Sequence, residues 1–261
     1  MKSKTEKKSP LKDKPLRYAG QSLQELIEDK VLVLVYWILV ACGSIILTLG
    51  EWNRYANPRP AQPLPITLFT IVIIIIGFYE INKGRKEISR LRMARDGEKI
   101  VAEELQALIK DGATVIHDVL ANNFNIDHVV VSKHGIYLIE TKTLSKPVKR
   151  ETKITFYTEN IYVDGRSMDR NPIEQVKASS DWLQKLLKES TGIKFKIHPV
   201  ILFPGWYTEK MKGGENIWIL NPKALPTFIS NEPAVLKDTD VHLVAFHLSR
   251  YVRTFTPKAG K

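Results

Sequence analysis

The chain has 261 residues, with 39 Lys and Arg against 28 Asp and Glu, so its formal net charge is +11. Sixteen basic and eight acidic residues fall in residues 1–95, which leaves 23 and 20 for residues 96–261. This mostly N-terminal excess argues first for a membrane surface and only weakly for a polyanionic ligand. The single cysteine, Cys42, excludes an internal disulfide framework and a zinc site built from cysteines.

Two apolar runs predict a transmembrane helical hairpin over residues 31–81. Residues 31–50 carry no charge, and a helix of this length rises about 30 Å, the thickness of a bilayer core. Residues 64–79 are also uncharged, and we extend this second span to residue 81. A signal peptide is the alternative for the first run, and a buried strand or core helix for the second. The continuously apolar character of both runs favours two spans.

The distribution of Lys and Arg predicts the orientation of this hairpin. Eight of them precede the first run, two lie between the runs, and six follow the second within the next fifteen or so residues. Both ends of the hairpin are therefore expected on the cytoplasmic side. We assign residues 1–30 as a basic cytoplasmic segment and residues 82–95 as a basic juxtamembrane linker that would be attracted to anionic lipid headgroups. The expectation is an integral membrane protein of the type found in a bacterial plasma membrane.

Residues 96–261 have the length of one domain with its own core, and they contain no internal repeat. Asn171 followed by Pro172 predicts a helix start, with Asn171 as the N-cap. The predicted elements are, in chain order, a helix over residues 97–110, strands over 113–120, 125–131 and 136–142, a weaker strand pair over 153–163, a helix from 171 to about 189, strands over 197–203 and 216–220, and a final helix around 241–255.

The turn between the second and third strands predicts a cluster of charged side chains. A turn centred between Lys133 and His134 pairs residues whose numbers sum to 267, and this places Asp127 opposite Glu140. Directly opposed carboxylates repel each other, and alternation puts Lys142 on the same face as Glu140. A magnesium ion would relieve the repulsion, and the lysine could help to neutralise a phosphate. The alternative to a metal site is a buried ion pair. A turn with an odd number of residues would place the two acids on opposite faces of the sheet.

The run IDHVVVSKHGIYLIETK, which ends at Lys142, resembles the core of the nuclease-related (NERD) domain, a proposed branch of the PD-(D/E)xK nuclease superfamily. Gly97-Glu98 in the first helix and the motif NPIEQV from Asn171 are similar to further marks of that family. The resemblance covers roughly residues 94–205. It implies an α/β fold with a restriction-endonuclease-like αβββαβ core and a central mixed sheet, preceded here by the two transmembrane helices.

The resemblance also implies roles for individual residues. Asp127 and Glu140 would bind Mg²⁺ or Mn²⁺, and Lys142 would orient or activate the attacking water. Glu98 would assist from the first helix, and Gln175 would contact metal-bound water or the substrate backbone. Taken without the resemblance, Glu98 is better explained as a complement to the helix dipole, and a structural role for Gln175 is equally compatible with the sequence.

The leading hypothesis is therefore a membrane-anchored nuclease that hydrolyses phosphodiester bonds of DNA or RNA with a divalent metal. The alternative is an inactive module that binds nucleic acid or a protein at the membrane, and a third reading is a scaffold within a membrane complex. The net charge of +3 for residues 96–261 argues against tight nonspecific DNA binding unless those charges cluster on one face.

Overall fold

A computed structural model describes residues 14–57, 60–146, 153–157, 160–168, 171–212 and 216–257. Several basic residues used to predict the orientation lie outside these ranges, namely Lys2, Lys4, Lys7, Lys8, Lys12 and Arg59. The chain divides into two compact units. One is Ser22–Arg95, and the other combines the segment that ends at Gln21 with the chain from Asp96 onward.

The unit Ser22–Arg95 contains both predicted spans. The first lies in helix α1 (Gln21–Ala56) and the second in helix α2 (Pro63–Lys110). Both helices are long and apolar enough to cross a membrane, and most side chains of their apolar windows are not buried within the protein. Leu39, for example, is 65% exposed and Ile46 is 68% exposed. An apolar surface of this extent indicates a membrane or a protein partner.

Hydroxyl groups join the two apolar helices. The hydroxyls of Thr48 and Thr70 lie 2.7 Å apart, and the Thr70 hydroxyl also donates to the Ser44 carbonyl at 3.1 Å. Near the helix ends, the Trp52 indole donates to the Thr67 hydroxyl at 3.0 Å. Hydrogen bonds of this kind stabilise helix pairs in lipid by about 0.6 to 2 kcal/mol each, because the hydrocarbon offers the polar groups no other partner.

Helix α2 continues without a break through the second span, the assigned linker and the predicted helix 97–110. Residues 82–95 contain no proline, and nothing else in them removes a helical hydrogen bond, which explains the continuity. The helix ends at Lys110, as predicted, and Gly112 follows with a φ of +89°. This left-handed conformation favours glycine and terminates the helix.

The central sheet follows α2. The described part of the chain contains nine strands, which are β1 (Thr114–Leu120), β2 (Asn125–Ser132), β3 (Gly135–Thr141), β4 (Lys153–Tyr157), β5 (Asn160–Val163), β6 (Arg166–Ser167), β7 (Ile197–Leu202), β8 (Tyr207–Lys212) and β9 (Trp218–Leu220). The five-stranded sheet has the order β1-β2-β3-β7-β9. Its first three strands are antiparallel, whereas β3, β7 and β9 are parallel. This arrangement confirms the predicted α/β fold with a mixed sheet, which is consistent with a nuclease-like core.

A second, smaller sheet has the order β6-β5-β4-β8. The predicted weak strand pair corresponds to β4 and β5, although residues 158–159 lie outside the described part of the chain. Strand β8 pairs in parallel with β4, and its alternation of polar and charged residues, YTEKMK, gave no sequence signal for a strand.

Helices cover both faces of the central sheet. On one face lie α3 (Pro172–Thr191) and α5 (Asp238–Thr254), and α4 (Leu225–Asn231) packs against the opposite face with the end of α2. The predicted N-cap of α3 is confirmed, since the Asn171 side chain accepts a hydrogen bond from the Ile173 N–H at 3.0 Å. Because both faces are buried, β2 and β3 are nearly continuous apolar strands, and each charged residue within them requires a partner.

The segment that precedes α1 packs with the unit that begins at Asp96. The Arg17 guanidinium contacts the Asp118 carboxylate of β1 at 2.6 Å, and Asp118 is completely buried. The Lys14 carbonyl accepts a hydrogen bond from Arg253 of α5 at 3.1 Å. Residues assigned from the sequence to a separate N-terminal segment therefore contribute to the folded domain.

The substitution Arg17→Ala is expected to destabilise this unit by about 3 kcal/mol, because it leaves the Asp118 carboxylate buried without its guanidinium partner. Thermal and denaturant unfolding of the full chain in a mild detergent would measure the change. Adding Asp118→Asn to Arg17→Ala should recover part of the loss, because an amide is cheaper to bury than a carboxylate that has lost its guanidinium partner. Equal stability of wild type and Arg17→Ala would contradict a structural role for this ion pair.

Candidate active site

The register of β2 and β3 determines where the charged side chains meet. Paired residues run from Ser132 and Gly135 to His128 and Ile139, and each pair sums to 267. The predicted register and turn are thus confirmed. Asp127 and Glu140 occupy the next position along the two strands, at the carboxyl end of β3.

Asp127 is held in place by a backbone group of β3. Its carboxylate accepts a hydrogen bond from the Thr141 N–H at 2.7 Å, and its side chain is buried. Burial is the main cause that raises the pKa of Asp127 well above its usual value, and the charges of Glu140 and Glu98 raise it further. The Thr141 hydrogen bond and Lys142 oppose this increase. These acids therefore destabilise one another's charged form when nothing neutralises them.

Glu140, Lys142 and Gln175 form a closed hydrogen-bonded group. The Glu140 carboxylate accepts from the Lys142 ammonium at 2.7 Å and from the Gln175 amide at 2.7 Å. The same ammonium donates to the Gln175 side-chain oxygen at 2.9 Å. Burial raises the pKa of Glu140, and Lys142 and Gln175 lower it. Helix α3 thus places Gln175 at the carboxyl end of β3, where the three side chains fix each other's positions.

Glu98 approaches from α2. One of its carboxylate oxygens, Oε2, is buried and has no hydrogen-bond partner among the described residues, while the Gly20 N–H donates to the carboxylate. Burial, followed by the charge of Asp118, raises the pKa of Glu98 to about 7, and the charge of Glu140 contributes to the increase. Glu98 therefore belongs to the same electrostatic cluster as Asp127 and Glu140.

The residue before Glu98 explains how the helix comes so close. A Cβ atom on Gly97 would overlap the hydroxyl of Thr143, which follows β3. Only glycine allows this approach of the helix to the chain after Lys142 without displacing the Thr143 side chain. This is a physical reason for glycine in the Gly97-Glu98 pair.

The structure adds two charged residues that the sequence analysis did not identify. Asp118 adopts a φ of +51°, and the β1–β2 register, in which paired residues sum to 245, places it opposite Asp127. The same arithmetic applied to the first hairpin would have revealed it. Arg17, which contacts Asp118 across 101 residues of sequence, left no local signal.

His117 and His128 form another pair across β1 and β2, and their residue numbers also sum to 245. Their Nδ1 atoms lie 2.8 Å apart, and burial lowers the pKa of His128 well below its usual value.

Carboxylates are suitable ligands for a hard divalent cation, but few of them in this cluster could contact the same ion. Among the described residues, no group of three or more His, Cys, Asp or Glu side chains could hold a metal ion. Mg²⁺ is commonly bound by one or two protein carboxylates, with waters and substrate phosphate completing its octahedron. Asp127 and Glu140 fit that mode of binding. Among the described residues, Lys142, Gln175 and the Thr141 N–H reduce the repulsion between these two carboxylates.

Comparison with known proteins agrees with this geometry. Residues 94–204 match the family model of the nuclease-related domain, NERD. The chain therefore carries a nuclease-related domain, and all five residues expected at the site lie within the matched range. No curated protein and no solved structure matches the chain.

The raised pKa of Glu98 predicts a pH-dependent stability in the absence of metal. The folded state holds this proton more tightly than the unfolded state, so stability falls as pH rises from about 4.5 through 7. At pH 8 the cost is roughly 2 to 3 kcal/mol relative to pH 4.5. Glu98→Gln should remove this cost, so its stability advantage over wild type should grow between pH 4.5 and pH 8.

Unfolding of the full chain in detergent and chelator, at both pH values, would measure this difference. Glu103→Gln, on an exposed position of the same helix, serves as the control and should show no such trend. An advantage of Glu98→Gln that is independent of pH would contradict the raised pKa.

Proposed function

We propose that this protein is a membrane-anchored nuclease that hydrolyses nucleic-acid phosphodiester bonds with a divalent metal. The observation that carries the proposal is the convergence of Asp127, Glu140 and Lys142 at the carboxyl end of β3. Glu98 and Gln175 surround them. The nuclease-related domain that contains these residues supports phosphodiester hydrolysis as the reaction class.

Asp127 and Glu140 are the residues proposed to hold Mg²⁺ or Mn²⁺. When bound, such an ion supplies positive charge that polarises the phosphate and lowers the pKa of a coordinated water. Glu98, with a buried oxygen that has no partner among the described residues, would assist by accepting a hydrogen bond from water at the site. Its partly protonated state near neutral pH, which follows from a pKa of about 7, also lets it exchange a proton with that water.

Lys142 is proposed to act on the attacking water and on the phosphate. Its ammonium has three donors, of which two are directed to Glu140 and Gln175. The third is available for a water or a phosphate oxygen, and the positive charge would stabilise the negative charge that develops during the reaction. Gln175 acts as a positioning residue, since it binds both Glu140 and Lys142.

Anchoring by α1 and α2 is the second part of the proposal. The exposed apolar side chains of both helices and the basic flanks predicted to face the cytoplasm support it. The full chain is therefore expected to remain in the membrane fraction after an alkaline carbonate wash and to be released by detergent. Release by carbonate alone would contradict two spanning helices.

Cleavage by the full chain in a mild detergent tests the nuclease activity. Supercoiled plasmid, circular single-stranded DNA and RNA would be incubated with Mg²⁺ or Mn²⁺. Glu140→Gln and Lys142→Met should each lower the rate by about 100-fold or more, because each removes a charge that acts in the transition state.

The controls keep the same chemical changes away from the site. Glu189→Gln and Lys188→Met alter exposed residues near the end of α3 and should leave the rate unchanged. Circular dichroism would verify that the site variants are folded. Cleavage that survives in Glu140→Gln, or that does not depend on metal, would contradict the proposal.

One observation favours a second candidate, a membrane-tethered module that binds nucleic acid without cutting it. Glu140, Lys142 and Gln175 satisfy one another without a metal, as a purely structural network would. Such a module would bind nucleic acid equally well with Glu140→Gln. Failure of the wild-type chain to cleave any substrate or to bind metal, together with retained binding in this variant, would favour the second candidate.

A further inference from the structure

A groove of about 810 Å³ lies at the carboxyl ends of β7 and β9. Its walls are formed by the loop after β7, by the start of β8, by the turn after β9, and by neighbouring residues of α2 and α4. Its lining includes Lys146, Gly205, Trp206, Tyr207, Asn221 and Lys223. None of them belongs to the metal site described above.

The groove adjoins the proposed active site along the same end of the sheet. Thr141 of β3 pairs with Leu202 of β7, and the Lys142 N–H donates to the Leu202 carbonyl at 2.8 Å. Four residues after Lys142, the Lys146 ammonium contacts the Gly205 carbonyl at 3.4 Å, inside the groove. A chain that leaves the site across this end of the sheet would therefore enter the groove.

The floor of the groove is held rigidly. Trp206 is only 2% exposed, its indole N–H donates to the Leu144 carbonyl at 3.2 Å, and its own carbonyl accepts from the Asn221 amide at 2.8 Å. Gly205 precedes it with a φ of +76°, a conformation that favours glycine. The loop is thus fixed before any ligand arrives, which lowers the entropic cost of binding.

The rim of the groove carries exposed aromatic rings and positive charges. Tyr207 is 67% exposed and Phe228 is 43% exposed. Lys223 is exposed, and the exposed Lys146 ammonium lies 5.6 Å from the centre of the Trp206 ring. Glu104 adds one negative charge on the side of α2.

An exposed ring and lysines that line one groove are the combination that binds single-stranded nucleic acid. Bases stack on aromatic side chains, while ammonium groups contact the phosphates between them. A base within a duplex is already stacked and paired, so its faces are not available for this contact. A phosphate contact alone would not explain why a large ring is left exposed to water at this position.

We propose that the groove binds an unpaired segment of the nucleic acid next to the phosphate that is cut. Tyr207 stacks on a base, and Lys146 and Lys223 contact phosphates on either side of it. This inference rests on the proposed function and deepens it, because it names single-stranded nucleic acid as the substrate class. DNA and RNA present the same stacking faces and phosphates, so the test includes both.

Binding of labelled oligonucleotides to the full chain in detergent tests the inference independently of catalysis. Fluorescence anisotropy would follow the binding of fluorescein-labelled oligo-dT, oligo-U and a DNA duplex, all in a Glu140→Gln background that slows turnover. Tyr207→Ala should weaken single-strand binding about 10-fold, as expected for the loss of one stacked base, whereas Tyr207→Phe should retain it. Lys223→Ala should reduce the slope of log K against log salt by about 1.

Matched controls lie elsewhere on the same unit. Phe246→Ala removes another exposed ring, which is 62% exposed on α5, and Lys188→Ala removes another exposed charge. Neither control should change the affinity for single strands. Tighter binding of either oligo-dT or oligo-U than of the duplex supports the groove, and the stronger of the two shows which strand it prefers.

The outcomes separate this inference from the proposed function. Equal single-strand affinity of Tyr207→Ala and the Phe246→Ala control would overturn the groove assignment, even if the wild-type chain cleaves nucleic acid. Duplex binding tighter than single-strand binding would also overturn it. Conversely, selective loss of single-strand binding in Tyr207→Ala without any cleavage by wild type would support the groove and contradict the nuclease.

Discussion

The repulsion among buried carboxylates is the constraint on which the rest of this domain depends. Glu98, Asp127 and Glu140 come from α2, β2 and β3, and all are buried where the sheet is covered on both faces. Charged groups in such surroundings destabilise a fold unless they are paired or neutralised. The protein retains them together, at the cost of raised pKa values for all three. A cation bound at the proposed site would offset this cost.

Each neighbouring element supports this cluster in a different way. Strand β3 supplies the Thr141 N–H to Asp127, and the residue that follows the strand supplies the Lys142 ammonium to Glu140. Helix α3 supplies Gln175. Gly97 permits the close approach of α2. The same end of the sheet, continued past β7 and β9, carries the groove with its exposed aromatic and basic residues. Reaction and substrate binding would then share one end of one sheet, as is usual for sites in α/β folds.

Local features of the sequence were sufficient to predict much of this arrangement. The uncharged runs, the Asn171 cap and the turn at Lys133 and His134 each act over a few residues, so their structural consequences follow directly from pattern. The β2–β3 register followed from that turn alone, and with it the meeting of Asp127 and Glu140. The metal-binding and catalytic roles of these residues stay predictions, since they depend on chemistry that register does not determine.

Features that depend on distant parts of the chain could not be predicted in this way. The contact between Arg17 and Asp118 joins residues 101 positions apart. Similarly, Gly20, whose N–H donates to Glu98, precedes both apolar spans in the sequence, whereas Glu98 follows them. Strand β8 forms because β4 offers it a partner, not because its own sequence favours a strand. Asp118 is a different case. The sum of residue numbers that predicted Glu140 opposite Asp127 can also be calculated for the turn between β1 and β2, and it would have predicted Asp118 opposite Asp127.

The central claim is that Asp127 and Glu140 form a metal site, and a titration with Mn²⁺ tests it most directly. Electron paramagnetic resonance of the full chain in detergent would measure free Mn²⁺ as protein is added, and excess Mg²⁺ would then compete for the site. The account predicts one Mn²⁺ bound per chain, displaced by Mg²⁺ and lost when Asp127→Asn and Glu140→Gln are combined. Unchanged binding in that double variant, or no binding by wild type with or without a nucleic acid present, would contradict it.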